Sequence, residues 1–487
     1  MDIKNQLPSS LSQSNIWATM QEYYEQSGPK AWQENLVPYQ ITSNKLLAHL
    51  YVALINAAIY DYNLNTNNEQ QHIFYILELG AGHGKFSFYI LKFLDFFNTN
   101  TNYKFLYIAS DISQQNIDYW QKHPALQKYI KNKQLDFAKY DPSKDNNIYL
   151  LNSKVTIEQN SLDTPMFVIA NYIFDTLPHD AFQCQNNELF ASNILIENQN
   201  SAKQSIDFNK LKYKYYHEKI THDYYQQPFY NQILEIYKKQ LTNGAFLLPI
   251  GALHSIDQIK LFSKNNTIFL VADKGNTNLS EFKDIEDPNI AVHGSISFMV
   301  NYHAIQTFFE ITGGNSMIMP NNNTDLQIAC FSANKIKNTL LQVAVKNILY
   351  DINPQNVISI FYTDNTITKW KNLDQVLSVL AISKWDPDLF YDLSDQLSNF
   401  IEKEINKATF NVEQEKTILE GLELVWDYFF QLEKNQDLPF VLANLYYSLE
   451  YFELAAKFFK ISIQEFGETQ EALYNIKLCN EALYEQS

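Results

Sequence analysis

Apolar and polar positions divide the chain into three stretches. Up to about Tyr62, Leu46, Leu47, Leu50, Leu54, Ala57 and Ala58 recur at helical spacing and predict helix. Asn63 to Gln71 is polar and predicts a loop. From Ile73 to about Asn334, short apolar runs alternate with helical patterns: Ile73–Leu79, Phe105–Ala109, Leu135–Tyr140, Phe167–Ala170 and Thr267–Ala272. That alternation predicts parallel strands joined by crossover helices. After Lys337 only helical periodicity remains. The expected architecture is α/β, a doubly wound, mostly parallel sheet. It has an N-terminal helical segment (1–72), a sheet domain (73–337) and an all-α C-terminal domain (338–487).

A long insertion, about 182–264, precedes the fifth strand. It carries a hairpin pattern, Leu189–Glu197 then Leu211–Ile220, and a helix over Pro228–Leu241. At the mouth of a parallel sheet such an insertion forms a lid or acceptor-binding wall, or else it covers a sheet face.

The most informative segment is Ile76-Leu77-Glu78-Leu79-Gly80-Ala81-Gly82-His83-Gly84-Lys85-Phe86, with an amphipathic helix over Phe86–Phe97. Alternate glycines after a strand permit a tight turn and close approach of a ligand to backbone. A dinucleotide fingerprint read from Gly80 needs Gly or Ala at 85, where Lys85 stands, and no Walker pair follows. The pattern acid-x-Gly-x-Gly-x-Gly instead matches the first motif of class I methyltransferases, and with it a Rossmann-like fold binding S-adenosyl-L-methionine. The second strand ends at Asp111, placed to accept the ribose hydroxyls. Its distance from the glycine loop is stretched by the polar Asn98–Asn102 loop. The third strand ends at Asp141, which either faces the adenine edge or, before Pro142, only starts a turn. His83 reads as a loop residue more than a base.

Further motifs resemble one methyltransferase family, that of the mitochondrial complex-I-assembly arginine methyltransferase and its bacterial relatives. Phe167-Val168-Ile169-Ala170-Asn171-Tyr172-Ile173-Phe174-Asp175-Thr176-Leu177-Pro178 resembles its "ANEFFDALP" segment. Tyr39–Ser43, Val271–Gly275 and Gly294–Tyr302 resemble "FITSPEIS", "VDYG" and "DITAHVDF", and the likeness runs from about Pro38 to Phe331. The family's glutamate is Tyr172 here, and its later histidine and aspartate are Met299 and Asn301. Holding a guanidinium calls for carboxylates, so the arginine specificity does not carry over. The resemblance and the residues together give an expected cofactor-binding set of Glu78, Gly80, Ala81, Gly82, Gly84, Asp111, Ile112, Asp141 and Asn171. Asn171 and Asp175 are the expected catalytic pair. Against that stands a purely structural reading, in which Asn171 caps a following helix and Asp175 lies on its solvated face.

Composition narrows the partners. The formal net charge is −17, and all 37 basic residues are lysine, so the planar fork that grips phosphate or guanine is missing. Nucleic acid and anionic membrane are therefore not expected partners, and no run reaches the length of a membrane span. Cys184, Cys330 and Cys479 are scattered, which predicts buried thiols in a reducing, cytoplasmic setting, and no metal-ligand spacing occurs. From Lys335 to Ser487, 13 lysines stand against 23 acids, a net of −10. Within that tail Leu442, Ala443, Tyr446, Phe452, Ala455, Phe459, Ser462 and Gly467 resemble a tetratricopeptide repeat. A partial second copy follows about 34 residues on, with Leu473, Ile476 and Leu478. One repeat cannot bury itself and must lean on the helices of about Val343–Leu432.

The expected function is a cytoplasmic S-adenosyl-L-methionine-dependent methyltransferase whose acidic C-terminal helices select a protein acceptor. A cofactor-binding scaffold without catalysis, or a small-molecule methyltransferase, are the alternatives.

Overall fold

Strands form where β-branched and aromatic residues run together. In the computed structural model β1 is Ile73–Glu78, β2 Lys104–Asp111, β3 Leu135–Lys139 and β4 Met166–Asn171. Next come β5 Asp180–Gln185, β6 Glu188–Ile196, β7 Tyr213–Lys219 and β8 Gly244–Leu248. The last three are β9 Thr267–Asp273, β10 Asn315–Ile318 and β11 Gln327–Ser332. The residues described are 7–30, 39–66, 72–98, 103–196, 211–293, 295–318, 326–335, 339–361, 370–432 and 436–486. Lys337, Pro38, Gly294 and residues 99–102 of the polar loop lie outside them, as do residues 197–210 of the insertion.

The main sheet has seven strands in the order β10-β11-β9-β4-β1-β2-β3. Five are parallel neighbours, and β11 runs antiparallel to both β9 and β10. This is the doubly wound order of class I methyltransferases, as the strand pattern predicts. The β10–β11 pair closing the sheet edge was not among the predicted strands. The chain winds outward from β1 to β2 and β3, then returns to place β4 on the other side of β1. The reversal leaves a crevice past the carboxyl ends of β1 and β4, where open α/β sheets bind ligands.

Helices α1 (Ile16–Ser27) and α2 (Lys45–Thr66) precede the sheet. α2 continues four residues past Tyr62, so Asn63–Thr66 is helix and not loop. α3 (Lys85–Asn98) links β1 to β2, and α4 (Gln114–Lys122) follows β2. The insertion folds as predicted into a hairpin, β6 with β7, and a helix, α5 (Pro228–Gln240). With β5 and β8 it completes an antiparallel sheet in the order β8-β5-β6-β7. Its strands β5, β6 and β8 are covered on both faces, while β7 is largely exposed. Phe182, Cys184, Leu189, Ala191 and Phe246 join the core beneath the main sheet. Ala181, Ile194, Ile196 and Leu247 pack with Leu11, Ile16, Trp17 and Met20 of the N-terminal segment. α6 (Ile250–Ile259) leads toward β9 and α7 (Tyr302–Ile311) toward β10.

The described chain clusters into two units. The first holds residues 1–31, 50–87 and 93–355, the second 32–49, 88–92 and 356–487. The second contains α8 (Leu373–Ile382), α9 (Pro387–Asn406), α10 (Val412–Asp427), α11 (Leu438–Ser448), α12 (Phe452–Phe466) and α13 (Gln470–Gln486). Leu442, Ala443 and Tyr446 of α11 and Ala455, Phe459 and Ser462 of α12 are all buried. In the partial second copy Leu473 is exposed, while Ala472 and Cys479 turn inward. α12 does lean on earlier helices: Trp426 meets Phe458 edge-on at 5.2 Å. Lys45 is buried in this unit, with Nζ 3.7 Å over the Tyr428 ring and its backbone N–H donating to Asp386 at 2.9 Å. Burial lowers the Lys45 ammonium to about 7, with Asp386 pulling the other way. All three cysteines are buried and free. Among the described residues no helix is long and apolar enough to cross a membrane.

Gly421, inside α10, gives a test of this packing. A Cβ there would lie 2.3 Å from the Trp385 indole. In an open helix Gly→Ala gains about 1 kcal/mol, but here Gly421→Ala is expected to cost about 1–3 kcal/mol through overpacking. Chemical denaturation reads the sign. A stabilised variant would refute the Trp385–Gly421 contact.

Candidate active site

The turn after β1 is built by glycine. Gly80, Gly82 and Gly84 have φ of +58°, +56° and +79°, the left-handed region that side chains resist. Space is short as well: a Cβ on Gly80 would meet Ile173 Cδ1 at 2.2 Å, and one on Gly84 would meet Trp120 at 2.7 Å. Gly80 is exposed at the mouth of the crevice, whereas Ala81 to Gly84 are buried. The loop's own amides are used internally. Ala81 N–H donates to Ser110 O at 2.9 Å and Gly84 N–H to Ala81 O at 2.8 Å. Trp120 Nε1 donates to Gly82 O at 2.9 Å.

Asp111, at the carboxyl end of β2, ties this loop down. Its Oδ2 accepts from the Gly82 N–H at 3.1 Å and Asn116 Nδ2 at 3.0 Å, and Oδ1 accepts from the Ser113 N–H at 2.8 Å. Burial pushes this carboxyl up, opposed by those hydrogen bonds and the Ile112 N–H. A ribose hydroxyl would therefore share oxygens already engaged by protein. Ile112 is half-buried beside it. Glu78 faces inward and not toward the crevice. Its Oε2 accepts from Ser87 Oγ and from Tyr107 Oη at 2.7 Å, joining β1, β2 and α3, and burial pushes it up to about 7.

Asp141 behaves as the turn initiator. Its carboxylate accepts from the Ser143 N–H at 3.0 Å and Lys144 Nζ at 2.7 Å. His83 is a buried loop residue: Nδ1 accepts from the Lys85 N–H at 3.0 Å, and burial, then the Lys85 charge, lower it to about 3.

Past β4 the structure departs from the helix-cap reading. The element that follows is a short 3-10 turn, Phe174–Thr176, preceded by Ile173, and Asn171 does not cap it. Asn171 Oδ1 instead accepts from Tyr51 Oη of α2 at 3.0 Å. Tyr172 takes a left-handed φ of +53°, which turns the chain sharply at the crevice. Asp175 is not solvated but buried, 7% exposed, and burial raises it to about 7 while Lys274 pulls it down. Its backbone N–H donates to Asp273 Oδ2 at 3.1 Å. Asp273, at the end of β9, is wholly buried and is raised well above the carboxylate range by burial and by Asp175. Of the departures from the arginine methyltransferase pattern, Asn301 is structural. It caps α7 through the Ala304 N–H at 2.9 Å and donates to Leu247 O at 2.8 Å. Met299 is half-buried.

The structure thus brings Gly80, Gly82, Gly84, Asp111, Asn171 and Asp175 to the carboxyl ends of β1, β2 and β4. Sequence reading missed Asp273 and Tyr51. Asp273 directly follows the predicted strand Thr267–Ala272 and could have been found by the rule that picked Asp141, but Tyr51 lies on a helix 120 residues from its partner. Several buried polar atoms here have no partner among the described residues: Ser113 Oγ, Asn116 Oδ1, Tyr140 Oη, Asn171 Nδ2 and Asp175 Oδ1. Such atoms normally find one, so the ends of β2, β3 and β4 fit a polar ligand lying along them.

Residues 57–250 match the model of the family described as "Putative S-adenosyl-L-methionine-dependent methyltransferase". No curated protein sequence matches the chain. Among solved structures, the chain is similar to a Burkholderia thailandensis superfamily protein bound to S-adenosyl-homocysteine. Identity is 10% and the TM-score 0.41, over 70% of this chain and 97% of that one. It is also similar to the 1,6-didemethyltoxoflavin-N1-methyltransferase of the same organism, at 9% identity and TM-score 0.32, over 69% and 98%. At these scores the fold assignment rests on the strand order itself. The family match covers residues 57–250, the glycine loop among them, and the strand order is that of the class I methyltransferase fold.

Two measurements probe the site. Asp111→Ala frees the loop, so it is expected to weaken S-adenosylhomocysteine binding by about 1.5–3 kcal/mol, the scale of a hydrogen bond to a charged group. Calorimetry reads it, and unchanged affinity would exclude Asp111 as the loop's anchor. The second test is pH. Glu78 holds its proton more tightly folded, at about 7, than its ordinary 4.5. The folded state therefore binds more protons between those values, and stability falls as pH rises from about 4.5 through 7. The carboxamide of Glu78→Gln would still accept from Ser87 and Tyr107 but cannot titrate, so this variant is expected to flatten thermal melts across that window. A slope unaltered by the substitution would contradict the assignment.

Proposed function

We propose that the chain transfers a methyl group from S-adenosyl-L-methionine to an acceptor carried by a protein, which the acidic C-terminal helices select. The observation that carries the transfer reading is the pair of unpartnered buried atoms, Asn171 Nδ2 and Asp175 Oδ1, beside the glycine loop. The loop from Gly80 to Gly84 would hold the cofactor, with Asp111, Ile112, Ser113, Asn116 and Tyr140 along its polar edge. When bound, the cofactor supplies a methyl carbon activated by sulfonium. The chain's own residues then orient the acceptor, exclude water and receive its proton. Asp175 suits the last task because burial keeps it near 7, so it can exchange a proton at neutral pH.

The net −10 of residues 335–487 supports a protein acceptor with a basic surface. Tyr474 and Tyr484 of α13 are exposed at 60% and 84%, adding apolar contact beside that charge. Three free buried thiols support a reducing, cytoplasmic setting. The motifs that resemble those of the complex-I-assembly arginine methyltransferases support a protein substrate, while Tyr172 and Met299 depart from that pattern.

Incubating the full chain with cell lysate and methyl-labelled cofactor tests this. Label is expected in protein, falling as salt rises through the screening range. Asp175→Ala is expected to lower labelling far more than S-adenosylhomocysteine affinity. Label confined to small molecules would refute the protein acceptor. Loss of affinity and labelling together would remove Asp175 from the acceptor side.

A further inference from the structure

Two buried atoms past the end of β4 have opposite hydrogen-bonding needs. Asn171 Nδ2 is a donor and Asp175 Oδ1 an acceptor, and neither has a partner among the described residues. Both flank the sharp left-handed turn at Tyr172. Their neighbouring groups are already committed, Asn171 Oδ1 to Tyr51 and the Asp175 N–H to Asp273. Leaving such a buried group unpartnered is costly, and a bound group of the right polarity would remove that cost.

A cation is the wrong group. Guanidinium and ammonium carry donors only, so either could serve Asp175 but would set its own N–H against that of Asn171. A bidentate grip on guanidinium also needs free carboxylate oxygens. Asp273 offers no unengaged oxygen, because Oδ2 accepts from the Asp175 N–H and Oδ1 from the Lys274 N–H at 2.9 Å. The Lys274 charge already attracts Asp175.

Resting on the methyltransferase reading above, we propose that the acceptor is a neutral group able both to donate and to accept a hydrogen bond, a hydroxyl or a carboxamide. It lies between Asp175 Oδ1 and Asn171 Nδ2. Its oxygen or nitrogen forms the new bond to the methyl carbon. The carbon–sulfur bond breaks with its electron pair left on sulfur, and the acceptor's proton passes to the Asp175 carboxylate. The titratable groups facing that carboxylate are Asp273 at the end of β9, Lys274 after it and Tyr302 of α7.

The full chain saturated with S-adenosylhomocysteine is titrated calorimetrically with four side-chain analogues: p-cresol for tyrosine, propionamide for glutamine, propylguanidinium for arginine and butylammonium for lysine. The tyrosine or glutamine probe is expected to bind at least about tenfold more tightly than either cation. Which of the two binds better distinguishes hydroxyl from carboxamide. Asn171→Asp replaces the donor by an acceptor and is expected to shift preference toward the cations by a similar factor. Should that variant not fold, the unmodified chain's own ranking decides. A cation bound equally or better, or no probe bound while S-adenosylhomocysteine binds, overturns the acceptor assignment and leaves the methyltransferase standing. Absence of S-adenosylhomocysteine binding overturns both.

Discussion

The site depends on one buried carboxylate, that of Asp111. It stands at the end of β2 and accepts hydrogen bonds from the Gly82 and Ser113 amides and the Asn116 side chain. A loop with three residues at positive φ loses much conformational entropy when held in one shape. Asp111 offsets that loss by locking the loop's middle amide to the neighbouring strand, while Trp120 fixes the Gly82 carbonyl from α4. Taking a carboxylate out of water is costly unless its oxygens are well bonded, and here one bond comes from the glycine loop and the others from the segment after β2. The same arrangement that desolvates Asp111 therefore shapes the cofactor's cradle.

The parallel sheet concentrates such costs at one end. Glu78, Asp111, Asp175 and Asp273 all lie at or just past the carboxyl ends of β1, β2, β4 and β9, and burial raises every one of them. Strand ends at a switch point leave backbone and side chains incompletely paired, and ligands complete them. Two of these acids are committed to architecture: Glu78 joins β1, β2 and α3, and Asp273 fixes the turn that carries Asp175. That support leaves Asp175 with one oxygen unclaimed. Burial also raises that carboxyl to about 7.

The elements outside the sheet contribute as well. Tyr51 reaches Asn171 from α2, so the N-terminal helix fixes the orientation of the amide at the crevice. Asn301, which stands where the resemblance would put an acceptor-side acid, serves instead as the cap of α7 and a bond to β8. The changes of side chain relative to the arginine methyltransferase motifs thus fall into two kinds. One supports packing, and the other, at Tyr172, shapes the turn that follows β4.

The amino-acid sequence alone determined the five central strands, the glycine turn, the hairpin and the helical tail, because these express short-range periodicity and the conformational freedom of glycine. It also marked Asp111, Asn171 and Asp175, since acids and amides that end apolar runs stand out against them. What it left open was the direction each side chain faces. Asp141 could read the cofactor or start a turn, and only the Lys144 and Ser143 bonds express the turn. Asn171 could cap a helix, but the chain forms a short 3-10 turn there and Tyr51 claims the amide oxygen. The inward turn of Glu78, the pairing of Asp175 with Asp273 and the grouping of residues 32–49 and 88–92 with the C-terminal helices were all decided in three dimensions. Burial and hydrogen-bond partners come from residues far apart in the chain, and no local pattern records them.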